Sequence, residues 1–189
     1  MDNPLVIYYL WSIIILVTKY TTLDNQQESL KIIGWIVGFV DGEGTFTVSI
    51  FKNEKAQRRL GWQVFPEFVV SQGEKSLNTL KFIQNYFKCG LIIKNKRYDN
   101  HHEDMYKYCV RALKDLKEKV IPFFIKNQLK SAKKKDFVIF NRIVNMIERK
   151  KHLEKRGLQK IALVALQMNR KSRPKFSELL RDYTPDRST

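Results

Sequence analysis

Asp41 and Glu43, two acids one glycine apart, close an apolar stretch that begins at Gly34. Carboxylates carried on the end of an apolar helix arrive at the rim of a core, where hard oxygen donors can hold Mg²⁺. Gly34 and Gly38 stand four residues apart and share one face of such a helix. Glycine costs a helix about 1 kcal/mol relative to alanine. Two on one face therefore suit the close approach of another backbone. Two copies of the helix would bring two acids together at a symmetry axis. Paired metal ions there stabilise both the attacking and the leaving oxygen of a phosphodiester displacement. Taken alone, Asp41-Gly42-Glu43-Gly44 reads as a decorated helix-to-strand turn.

Elements must position these residues. Helical spacing over Glu28–Phe39 puts Leu30, Ile33, Ile36, Val37 and Val40 on an apolar stripe, ending at Gly42-Glu43-Gly44. Phe46, Val48 and Ile50 then alternate with Thr45, Thr47 and Ser49, the period-two pattern of a half-buried strand. A basic turn, Lys52–Gly61, leads to a second strand over Trp62–Ser71, interrupted by Pro66. Leu77–Phe87 is helical, and Cys89–Arg97 with Met105–Arg111 forms a second hairpin around the loop Tyr98–Asp104. Helices follow at Leu113–Phe124, Asp136–Met146 and Leu158–Leu166. The order helix, two strands, helix, two strands, helices predicts an α+β domain with an antiparallel sheet.

Charge indicates the partner. Among 189 residues, 35 Lys and Arg face 19 Asp and Glu, a formal net charge of +16. Such an excess favours a polyanion, because each neutralised phosphate releases condensed counterions. The apolar fraction of 43% and twelve Phe argue for a globular chain. Cys89 and Cys109 make neither a disulfide framework nor a zinc knuckle and read as small apolar residues in a reducing, intracellular compartment. No phosphate-cradling glycine loop or serine nucleophile elbow occurs, and His101, His102 and His152 lack metal-ligand spacing. Leu5–Val17 is apolar but shorter than the roughly 20 residues that span a bilayer. It reads as a marginal anchor, a docked helix or sequence outside the working fold. Residues 1–27 thus form an apolar segment and linker, 28–170 the main domain, and 171–189 a basic polar tail.

The stretch Ile36-Val37-Gly38-Phe39-Val40-Asp41-Gly42-Glu43-Gly44 closely resembles the defining motif of LAGLIDADG homing endonucleases, and the likeness extends over roughly Glu28 to Ile147. The resemblance implies an αββαββα fold with a DNA-binding sheet saddle and further C-terminal helices. It implies a Mg²⁺-dependent, intron-encoded nuclease that cuts across the minor groove to leave 3′ overhangs. In bacterial cytoplasm or an organelle, such a protein would spread a mobile element. One motif fits one domain, so a homodimer follows, packed through Gly34, Ile36, Val37, Gly38 and Asp41, with a near-palindromic target. Glu43 and the carbonyl of Gly42 would hold metal. Gln72, at the end of the second strand, would sit near the attacking water or serve as a strand-end cap. Lys133 would be the basic residue of the site, with Lys130, Lys134 and Lys135 as alternatives. DNA contacts are expected at Thr45, Thr47, Ser49, Phe51, Lys52, Asn53, Arg58 and Arg59, and at Gln63, Phe65 and Glu67. The second hairpin would add Lys94, Lys96, Tyr98, Tyr106 and Tyr108. A maturase that binds intron RNA without cutting DNA is the rival, with Glu43 as the feature against it.

Overall fold

A computed structural model of the chain describes residues 25–53, 60–95, 104–168 and 177–181. Helix α1 covers 25–43, longer at both ends than its apolar stripe, and strand β1 (Gly44–Lys52) follows without a loop. Gly44 makes that junction possible. A Cβ there would lie 2.6 Å from Val40 Cγ1 and 2.8 Å from the Val40 carbonyl oxygen, so only glycine lets the strand leave so close to the last helical turn.

Strand β2 (Trp62–Gly73) returns along β1 and is followed by helix α2 (Leu77–Phe87), the span its spacing predicts. Strands β3 (Leu91–Asn95) and β4 (Met105–Val110) complete an antiparallel sheet of order β1-β2-β4-β3. The register pairs Gly44 with Val70, Thr47 with Glu67, and Phe51 with Gln63 on one side of β2; on the other, Phe68 pairs with Val110 and Gln72 with Tyr106. Pro66 is tolerated in this central strand because it lies where β2 pairs with β1 alone, beyond the reach of β4.

Helices cover one face of the sheet. Helix α3 (Leu113–Asp115) passes through a wide π turn (Leu116–Val120) into α4 (Ile121–Lys126), so the single helix expected there is continuous but widened. The widening precedes Pro122, which has no N–H to return to the preceding turn. Helix α5 (Lys133–Glu148) packs on β1 and β2, and α6 (Lys155–Ala165) packs on α5 as an outer layer. Buried Gln159 of α6 donates from Nε2 to the Leu179 carbonyl at 2.9 Å and anchors the short α7 (Ser177–Leu180). Phe46 centres the core, with the rings of Phe68, Phe124, Phe137 and Phe140 at 5.1, 5.5, 5.1 and 5.3 Å. Aromatic burial of this kind, two of the four pairs edge-on, dominates core energetics. Among the described residues, the opposite face of the sheet is left without a helical layer.

Candidate functional site

Glu43 is the last residue of α1 and its side chain is exposed. Asp41, one glycine earlier, is engaged by its own chain. Its carboxylate accepts from the backbone N–H of Lys130 at 2.6 Å, from the Ser131 N–H at 3.2 Å and from Ser131 Oγ at 2.7 Å. Burial pulls its pKa up, but the bonds from Ser131 and Lys130 outweigh that and hold it below its ordinary value. Asp41 thereby ties the end of α1 to the segment leading into α5, and the tie sets the neighbouring acid.

Lys133, the first residue of α5, reaches the same spot. Its Nζ donates to the Val40 carbonyl at 2.9 Å and to the Gly42 carbonyl at 3.0 Å. Burial lowers its pKa, and the negative charges of Asp41, Glu43 and Asp136 push back. The alternatives stand elsewhere: Lys134 Nζ bonds Gln128 Oε1 at 2.9 Å, and the side chains of Lys130 and Lys135 are exposed. Gln72 lies two residues beyond Val70, the partner of Gly44, half-buried where β2 passes the start of β1. Exposed Glu43, the cationic Lys133 and the Gly42 carbonyl therefore meet at one helix end, an arrangement suited to charge stabilisation at an anionic substrate.

The rest of α1 splits into two faces. Gly34, Gly38 and Gly42 are exposed, and nothing among the described residues lies within 4 Å of where a Cβ would stand on any of them. Val37 is half-buried against the core. Ile36 overturns an expectation: at 0% exposure it belongs to the core of its own domain, because it points with Val40 towards the helical layer and not outward with the glycines. Leu30, expected on the buried stripe, is 67% exposed.

On the uncovered sheet face, the first hairpin agrees with its alternation. Thr45, Thr47, Ser49 and Phe51 pair with Val69, Glu67, Phe65 and Gln63 and share a side, with Lys52 and Asn53 at the far end. Asn53 Nδ2 donates to Gln63 Oε1 at 3.1 Å. The second hairpin requires correction. Tyr108 is 0% exposed, its hydroxyl donates to the Cys89 carbonyl at 3.1 Å, and its ring packs edge-on against Phe68. Lys94 and Tyr106 pair with one another in the row next to Tyr108 on the same, helix-bearing side, where Lys94 bonds Asp104 and Tyr106 bonds Glu74. The open face carries the other set, including Ile93, Asn95, Lys107 and Ser71. A one-residue change of parity sends every side chain to the opposite face. Arg58, Arg59, Lys96 and Tyr98 lie outside the described residues. Arg111, just past β4, was missed: it bonds Glu67 and lies over the Phe65 ring on the open face.

Comparison with known proteins adds an independent line. A sequence model described as LAGLIDADG endonuclease matches residues 36–144. A probable intron-encoded endonuclease 3 of Neurospora crassa is 29% identical over 168 residues, covering 88% of this chain and 30% of that protein. The chain spans a third or less of the first curated relatives it matches. The crystal structure of a homing endonuclease, I-TnaI, superposes with a TM-score of 0.68 at 39% identity, covering 79% of this chain and 93% of that one. I-SmaMI, in a structure titled as bound to cleaved DNA, superposes at 0.67 with 30% identity over 77% of this chain and 45% of that one. No helix among the described residues is long and apolar enough to cross a membrane.

Proposed function

Since the chain belongs to the LAGLIDADG endonuclease family, we propose that it cuts double-stranded DNA at one long, near-palindromic site, acting as a homodimer encoded within an intron. The observation that carries this reading is the exposed Glu43 carboxylate at the end of a helix whose neighbouring glycine stripe is open to a second backbone.

Glu43 and the Gly42 carbonyl are hard oxygen donors of the kind Mg²⁺ takes. A carbonyl has two lone pairs, so the bond from Lys133 leaves one for another ligand. Among the described residues no three His, Cys, Asp or Glu side chains converge on a point. One chain therefore offers half a site, and a second Glu43 would come from the other copy. A divalent cation held there supplies Lewis-acid stabilisation of charge on the scissile phosphate. Lys133 would add positive charge beside that phosphate, and Gln72 would orient the attacking water. The uncovered sheet face, with Thr, Ser, Gln, Lys and Arg side chains, would lie in the DNA grooves, as a β-ribbon does.

The test is cleavage of the intronless form of the host gene in Mg²⁺ by the wild type and by Glu43→Gln. One cut with 3′ overhangs by the wild type, and binding without cutting by Glu43→Gln, is the expected result. Binding without cutting by the wild type overturns the reading and makes intron RNA the next ligand.

A further inference from the structure

Arg111 sits just past β4, outside the proposed catalytic cluster, and is held in an unusual way for an exposed arginine. Its Nε donates to Glu67 Oε1, and its guanidinium lies 5.4 Å from the centre of the Phe65 ring. The Glu67 side chain is 16% exposed and that of Arg111 is 41% exposed, so the carboxylate is mostly covered while the cation reaches outward. Carried one residue beyond Phe68↔Val110, the register sets Arg111 opposite Glu67 in the row that also contains Thr47. That row belongs to the sheet face on which no described helix lies. Of the five N–H donors of arginine, Nε is spent on Glu67 and the four on the terminal nitrogens have no partner among the described residues.

A long side chain in water loses rotamer freedom when it binds. Here Phe65 supports the guanidinium from one side and Glu67 fixes its edge, so much of that ordering is complete beforehand. A planar fork with outward terminal nitrogens matches the O6 and N7 acceptors that guanine presents in the major groove. We infer that Arg111 is a specificity-determining residue that reads one guanine in each half of the DNA target, with Glu67 and Phe65 as its positioning residues. The inference rests on the reading of the chain as a site-specific DNA nuclease.

The experiment is selection of bound duplexes from a randomised DNA library by the purified full chain in calcium, followed by affinity measurements on the selected site and its single-base variants. The wild type is expected to prefer guanine at one symmetric position per half-site by roughly 10-fold or more. Arg111→Ala should abolish that preference and leave the other positions unchanged. Arg111→Lys keeps the charge without the fork and should discriminate little better than Arg111→Ala. Glu67→Ala should fall between, since it frees the arm without removing it. Thermal melting of each variant checks that the fold survives. If Arg111→Ala weakens binding by one factor across all sequences, Arg111 is a phosphate contact and the inference fails while the nuclease reading stands. If the wild type selects no sequence at all, the nuclease reading itself fails.

Discussion

Lys133 and Tyr108 both look polar in the sequence, and their surroundings give them opposite tasks. Lys133 is held by two carbonyls at the end of α1. Replacing it with methionine removes a fixed positive charge from beside the proposed scissile phosphate and should slow cleavage by about 100-fold or more, with DNA affinity nearly kept. Single-turnover cleavage set against filter binding checks this. Tyr108 is sealed in the core, and burial, with the neighbouring Cys89, drives its hydroxyl far above the ordinary pKa of 10. An acid whose folded-state pKa is raised contributes stability below its unfolded value, here about 10, and loses it as pH climbs further. Denaturant melts of the wild type should therefore weaken above pH 10. Tyr108→Phe should lack that component, at a cost of about 1 kcal/mol near neutral pH for the lost hydrogen bond. Tyrosine misleads a reader of sequence because one end suits solvent and the other a core. The signal that would have corrected it is Val110, which shares the parity of Tyr106 and Tyr108 in β4.

Helix α1 and the first hairpin were largely legible because each combines a clear period with glycines at its boundaries. Alternation assigned both faces of β1 and β2 correctly. The second hairpin has no such guide, since the residues between β3 and β4 form a polar run with no turn signature to set register. Spacing sets Ile36 on the apolar stripe with Val40, where both are buried. Only its place at the interface, which came from the resemblance, failed, because the helix has one side for its own core and another for a proposed partner. The glycine stripe itself makes a sharp prediction. Because a Cβ at Gly38 meets nothing within 4 Å among the described residues, Gly38→Leu should leave the isolated fold intact and favour the helix by roughly 1 kcal/mol. It should also drive apart any second copy packed there. Analytical ultracentrifugation should find monomers for Gly38→Leu and dimers for the wild type, with double-strand cleavage lost in the variant.

Across the whole chain the net charge of +16 is unevenly shared. The described part of the open sheet face holds Lys107 and Arg111 against Glu67, whereas Arg149, Lys150, Lys151 and Lys160 are exposed about the junction of α5 and α6. Phosphate contacts would then draw mainly on charges beyond the described part of that face, leaving the face itself to the proposed reading of bases. Affinity should fall about 1,000-fold or more between 50 and 200 mM monovalent salt, the mark of six or more phosphate contacts across a dimer, as fluorescence anisotropy would record. Composition made the sign of the partner legible but not this division of labour, which depends on how the chain is folded. The direct junction of α1 with β1 at Gly44 bears on how such a protein acquires a new target. With no loop between Glu43 and Thr45, the proposed cutting group and the first proposed reading residue are joined like a blade and the zero mark of a ruler. An inserted residue there would turn every following side chain to the wrong face. New targets must then arise by exchanging the markings, one alternate side chain at a time, while the ruler keeps its length.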